Sequence, residues 1–225
     1  MSSQYGQDLF VLQALNGQRG GFFLDSGASD GVDASNTRLL ETSYGWSGIC
    51  VEPNPRLYAD LVRNRRCHTV NCCLYDRPGE VDFVEAGTVG GILDEYHPAL
   101  LACARRLLGT DPDRPPPTVR RPARTVRSVL REYGAPPVVD YWSLDIEGAE
   151  LNVLKSFPFD EYDVRVLTVE HNWLPVRADV RRFLEGRGYR WAGELGCDDC
   201  FVRPSAGVVP HHAWRSGAWR HRHAT

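Results

Sequence analysis

Two short segments hold the residues best placed to do chemistry. Phe22-Phe23-Leu24-Asp25-Ser26-Gly27-Ala28-Ser29-Asp30-Gly31 is an apolar run that ends in an acid and opens directly into a glycine-containing turn. Gly48-Ile49-Cys50-Val51-Glu52-Pro53-Asn54 is a second apolar run ending in an acid, with Glu52 twenty-one residues past Gly31. Continuous apolar runs of this length suit strands buried in a parallel sheet, and their terminal carboxylates then stand at its carboxyl edge, where open α/β folds bind nucleosides. Gly27 and Gly31 let backbone approach a ligand that a Cβ would exclude. A carboxylate at position 52 can accept both hydroxyls of a ribose. The bland alternative for the glycine pair is a plain strand-to-helix turn.

The acids choose between cofactors. A dinucleotide turn reads G-x-G-x-x-G and faces a pyrophosphate, which favours a turn without carboxylates. Here Asp25 and Asp30 bracket the turn. Beside a pyrophosphate they would repel; beside a sulfonium and an α-ammonium they attract. The turn therefore favours S-adenosylmethionine (SAM) over NAD.

A second constellation lies at 139–150, Val-Asp-Tyr-Trp-Ser-Leu-Asp-Ile-Glu-Gly-Ala-Glu, read as a strand that delivers Asp145 to the same edge before a helix starting near Glu147. Glu147 and Glu150 read as first-turn residues that complement the helix dipole. The next strand, Val166-Leu167-Thr168-Val169, ends in Glu170-His171-Asn172-Trp173. Asp145, Glu170 and His171 are the catalytic candidates, converging near a transferable methyl. A divalent cation such as Mg²⁺ on Asp145, Glu170 and Asn172 could acidify a bound hydroxyl, or His171 could take its proton as general base. A buried hydrogen-bond network is the structural alternative.

These residues need a scaffold, and 225 residues suffice for one α/β domain with a large core. Alternating patterns predict a doubly wound, mainly parallel sheet over 22–203, with strands at 22–25, 48–52, 67–72, 138–145, 165–170, 188–194 and 199–203. An N-terminal segment, 1–21, precedes it. The insertion after the third strand has an alternating strand at 80–84, helical spacing at 95–108 and a proline-rich loop at 111–117, so 86–117 is a candidate lid or substrate-selecting element, with a solvated linker as the alternative. The tail, 204–225, is rich in His, Trp and Arg; its tryptophans suit packing on the body or on a second copy in a homodimer, and a frayed terminus is the alternative.

Composition narrows the partners. A hydrophobic content of 42% with net charge −3 gives no basic field for nucleic acid, and no apolar run reaches membrane-spanning length. A cytoplasmic location and a small-molecule substrate are expected. Seven cysteines without framework spacing read as reduced thiols. Cys197-Asp198-Asp199-Cys200 is half a zinc site at most, needing His211 or His212 to close it. Lys155 is the only lysine, which makes a lysine nucleophile improbable.

Taken together, Ser3-Gln4-Tyr5-Gly6-Gln7-Asp8, Asp25 to Gly31, Ser35-Asn36-Thr37, Val51-Glu52-Pro53, Asp145-Ile146-Glu147-Gly148-Ala149-Glu150 and Val169-Glu170-His171-Asn172 resemble the FkbM-type SAM-dependent methyltransferases, in order and spacing, to about residue 203. The resemblance implies a seven-stranded, Rossmann-like class I methyltransferase fold and O-methylation of sugars or polyketide natural products. It implies that Gln4, Tyr5 and Asp8 fold over the methionine end, that Asp25 and Gly27 line it and that Glu52 holds the ribose. Gly31, Asn36 and Asn54 complete the expected cofactor-binding set. Many relatives carry Lys before the Asp-x-Glu-Gly motif where this chain has Ser143. It is similar there to a subgroup with eukaryotic members not established as enzymes, so a non-catalytic scaffold is the alternative.

Overall fold

Buried apolar runs and amphipathic helices alternate along the computed structural model, which describes residues 3–111 and 114–204. In chain order the first half contains α1 (Gln7–Ala14), β1 (Phe22–Ser26), α2 (Arg38–Tyr44), β2 (Ser47–Val51), α3 (Pro55–Asn64), β3 (His68–Val70), β4 (Cys73–Leu74), β5 (Gly79–Val84), β6 (Gly91–Ile92) and α4 (Pro98–Leu108). There follow β7 (Val119–Arg124), α5 (Val126–Glu132), β8 (Val138–Leu144), α6 (Glu150–Ser156), β9 (Asp163–Glu170), α7 (Arg177–Gly186), β10 (Arg190–Leu195) and β11 (Asp198–Val202). The seven predicted strands all enter one sheet of order β10-β11-β9-β8-β1-β2-β3. Its five strands from β9 to β3 run parallel, and β11 is antiparallel to both of its neighbours.

Strand order reverses between β1 and β8, since the chain winds outward through β2 and β3 and returns to the other side of β1. That is the switch point at which a doubly wound sheet opens a crevice. The strands flanking it are buried on both faces, with Phe23, Leu24, Tyr141 and Trp142 at 2% exposure or less, which explains their unbroken apolar character. Trp142 Nε1 donates to Ser26 Oγ at 2.9 Å and Tyr141 shares a 2.7 Å hydrogen bond with Thr168 Oγ1, so polar atoms in this core are paired.

A second sheet, β4-β7-β5-β6, lies within the insertion. The strand at 80–84 and the helix within 95–108 appear as β5 and α4, whereas β7, Val-Arg-Arg-Pro-Ala-Arg, carries a proline and three arginines that hide a strand. Its charges are matched across the ladder, Arg120 by Glu80 and Asp82 and Arg121 by Glu85. β4 pairs only with Ala123 and Arg124, which leaves one side of Pro122 without a strand partner. Among the described residues no helix is long and apolar enough to cross a membrane. The tail from 205 onward, with His211 and His212, lies outside the described residues.

Candidate functional site

A cavity of about 500 Å³ opens at the carboxyl edge where β1 and β8 part. On its β1 side, Asp25 is buried and accepts from Thr37 Oγ1 at 2.5 Å. Burial raises its pKa, against the lowering fields of Arg65 and Thr37. Arg65, itself buried, clamps the intervening loop by donating to Thr37 Oγ1 at 2.9 Å, Ser35 Oγ at 3.1 Å and Glu41 Oε2 at 2.5 Å. Gly27 lines the cavity at φ +83, and a Cβ there would lie 1.8 Å from the carbonyl oxygen of Asp145, so the crossing of neighbouring strand ends demands this glycine. Gly31 is not among the lining residues. Its Cβ would meet Leu61 and Arg65 at 2.6 Å, which makes it a packing glycine under α3.

Glu52 also lines the cavity on this side. Its Oε2 accepts from Ser29 N at 2.9 Å and its Oε1 from Asn54 N at 2.8 Å, leaving each oxygen a further acceptor site. Burial pushes its pKa up to about 7. The Asn54 side chain is outside the lining and caps α3 instead, accepting from Arg56 N at 3.0 Å. Asn54→Ala is therefore expected to cost about 1 kcal/mol in urea unfolding with little change in nucleoside affinity, because the N–H held by Glu52 remains. Asn36 donates to Ser143 Oγ at 2.9 Å, while its Oδ1 is buried without a partner on the cavity wall. Ser143 is thus occupied in positioning Asn36.

The N-terminal segment reaches the same cavity through Gln4 and Tyr5. Asp8 does not line it. Fully buried, it accepts from Ser3 Oγ at 2.7 Å and holds the segment in place. Gln7, overlooked in the sequence, accepts from Tyr5 N at 2.8 Å and donates to Asp198 Oδ2 at 2.8 Å, tying Tyr5 to β11.

On the β8 side, carboxylate oxygens of Asp145, Glu147 and Glu170 lie within 4.8 Å of one another. Asp145 and Glu170 adjoin each other in this group, and both are pushed well above the usual carboxylate range, first by burial and then by neighbouring acids. Two carboxyls so placed disfavour simultaneous ionisation. Glu147 corrects the sequence reading: α6 begins at Glu150, and Glu147 precedes it at φ +60, 6% exposed, its pKa driven to about 8 by burial and by Glu150. Glu150 does serve the helix start, accepting from Ile146 N and Gly148 N at 3.0 Å each. Asn172 lines the cavity and donates to Glu147 Oε2 at 3.4 Å, so Glu147 takes the place expected for Asn172 in the acidic group.

His171 is not among the lining residues. Its Nδ1 accepts from Trp173 N at 3.0 Å, which leaves the proton on a buried, unpartnered Nε2. Burial and Arg177 lower its pKa, and the nearby Asp199 is already bound by Arg177 at 2.6 and 2.8 Å. All seven cysteines are free, and Cys197 lines the cavity with Sγ 3.9 Å from Glu170 Oε1.

The profile of the methyltransferase FkbM domain matches residues 25–191. The chain belongs to this family. FkbM methyltransferases use SAM as methyl donor, and the cavity fits it: acids on both walls suit its cationic centres, Glu52 offers two acceptors for ribose, and the orphaned Asn36 Oδ1 is an acceptor awaiting a donor. The sequence-based expectations of a SAM-dependent methyltransferase and a seven-stranded class I fold hold. No curated protein matches the sequence. Among solved structures, precorrin-6y C5,15-methyltransferase from Geobacter metallireducens GS-15 is 11% identical with TM-score 0.46, covering 87% of this chain and 86% of that one. A human methyltransferase 10 domain containing protein is 11% identical with TM-score 0.46, over 88% and 79% of the two chains. The human METTL16 catalytic domain in complex with MAT2A 3′UTR hairpin 6 is 14% identical with TM-score 0.41, over 87% and 67%. At these values the superpositions add nothing to the family assignment, and the expectation of no nucleic-acid partner takes no support from them.

Proposed function

We propose that this FkbM methyltransferase methylates a hydroxyl of a small molecule, of the sugar or polyketide natural-product kind, with the Asp145–Glu170 pair accepting the hydroxyl proton. The cluster of Asp145 and Glu170 carboxyls lining the cavity at the switch point carries this reading. Bound SAM supplies an electrophilic methyl on a sulfonium. The chain's task is to hold the nucleophile in line with it in a dry pocket and to take up one proton. A pair that disfavours simultaneous ionisation keeps one carboxylate free as acceptor. As the acceptor oxygen bonds to the methyl carbon, the carbon–sulfur bond breaks onto sulfur and the hydroxyl proton passes to the pair. Glu52 and Asn36 hold the nucleoside, and Gln4 and Tyr5 cover the methionine end. We place the acceptor under the 86–117 insertion, which contributes Thr88, Val89, Leu100 and Cys103 to the lining.

Titration calorimetry with S-adenosylhomocysteine tests the cofactor half. Micromolar binding is expected, with Glu52→Ala weakening it by about 10- to 100-fold through loss of the ribose bonds. No binding at millimolar ligand would favour the scaffold alternative. A second reading comes from the three clustered carboxylates, which could hold a divalent cation through Asp145, Glu147 and Glu170. Turnover abolished by a chelator and restored by Mg²⁺ would select it over a metal-free proton acceptor.

A further inference from the structure

The charge on the cavity wall is one-sided. Six acids line it, Asp25, Asp33, Glu52, Asp145, Glu147 and Glu170, and among the described residues no lysine, arginine or histidine does. This happens in a chain with 26 arginines and lysines, whose guanidinium groups pair acids across much of the remaining surface. A phosphate, sulfate or carboxylate on the acceptor would meet only like charge here. SAM carries an ammonium, a sulfonium and a carboxylate, a net charge of +1. With Asp25 held by Thr37 and Arg65, the β8-side acids Asp145, Glu147 and Glu170 still have no cationic side chain beside them in the lining.

The aromatic residues of the lining point the same way. Trp173 and Tyr5 both line the cavity while remaining 65% and 44% exposed, which puts them at its mouth. Trp173 and the preceding Asn172 are in left-handed backbone conformations, φ +54 and +42, where a bulky side chain is uncommon. Aromatic faces at the entrance of an acidic pocket are a recognition device for ammonium groups.

We propose that the methyl acceptor is a cation, a hydroxyl compound bearing a protonated amine, seated with its ammonium against Asp145, Glu147 and Glu170 and within reach of the Trp173 ring at the mouth. The inference rests on the SAM-dependent reading above and names its substrate class. Held as an ammonium by carboxylates, the nitrogen has no lone pair to attack with. The neighbouring hydroxyl is then the nucleophile: its oxygen gains the methyl, the carbon–sulfur bond breaks onto sulfur, and its proton passes to the Asp145–Glu170 pair.

The test uses the full chain saturated with S-adenosylhomocysteine, after calorimetry has shown that this ligand binds. Ligand-observed NMR then compares matched probes: 2-aminocyclohexanol, cyclohexanol and 2-hydroxycyclohexanecarboxylate, and glucosamine, N-acetylglucosamine and glucuronic acid. The amines are expected to bind at least about 10-fold more tightly than their neutral partners, with no binding of the acids. Glu147→Gln and, independently, the exposed Trp173→Ala should each erode that preference several-fold. Equal binding of neutral probes, preference for the acids, or no binding of either amine overturns the proposal. Failure of S-adenosylhomocysteine itself to bind would overturn the reading beneath it.

Discussion

Asp145→Asn lowers kcat by about 100-fold to 10,000-fold, the usual contribution of a positioned proton acceptor, while S-adenosylhomocysteine affinity changes by less than about threefold. The asymmetry follows from the placement of Asp145, which sits with Glu170 and Glu147 on the β8 side of the cavity and takes no part in the contacts of Glu52, the residue proposed to hold the nucleoside. An amide at 145 keeps the shape of the carboxyl, so the fold is kept and the pair of acids is lost. Glu170→Gln should behave alike, and the double variant should be little worse than either single one, because the two carboxyls act as a unit. Single-turnover kinetics with a competent acceptor, beside calorimetry, separates the two effects. Turnover that survives in both amides but disappears in His171→Gln would return the role of base to the imidazole.

The sequence showed the strand ends more clearly than the turns between them. Asp25, Glu52, Asp145 and Glu170 close apolar runs, and buried parallel strands make such runs continuous, so position along the strand translates directly into position at the edge. What it hid depended on backbone conformation. Glu147 follows Asp145 by two residues and looks like an ordinary first-turn glutamate, yet φ +60 turns it into the cavity wall and delays α6 until Glu150. His171 shows the converse: it directly follows the strand end at Glu170, yet it does not line the cavity and its imidazole meets Arg177 and Asp199. Asp8, Gly31 and Asn54 stand in the right motifs with structural tasks, respectively bracing the N-terminal segment, passing under α3 and capping it. No spacing rule separates a residue that touches a ligand from one that holds the loop touching it.

The ligand-free protein should lose stability as pH rises from about 5 to about 8.5, the reverse of a protein whose carboxylates are paired with cations. Folding holds Glu147 at about 8, Glu52 at about 7 and Asp198 at about 6, each above its ordinary value, with burial as the first cause in every case. A carboxyl whose folded pKa is raised favours the native state fully below its ordinary pKa, and that contribution is lost as pH climbs through the folded value. For Glu147, 6% exposed, the linkage integral between those limits is on the order of 4 kcal/mol. Glu147→Gln, measured by urea unfolding in a chelating buffer, should therefore be nearly neutral at pH 5 and stabilising at pH 8.5. Parallel pH curves for the variant and the native chain would show that Glu147 ionises freely in the fold. Adding SAM must act in the opposite sense to the pH, since its cationic centres favour the ionised acids. Its stabilising effect should grow from pH 5 to pH 8.5, which couples the instability of the free site to the affinity it gains for a positively charged methyl donor.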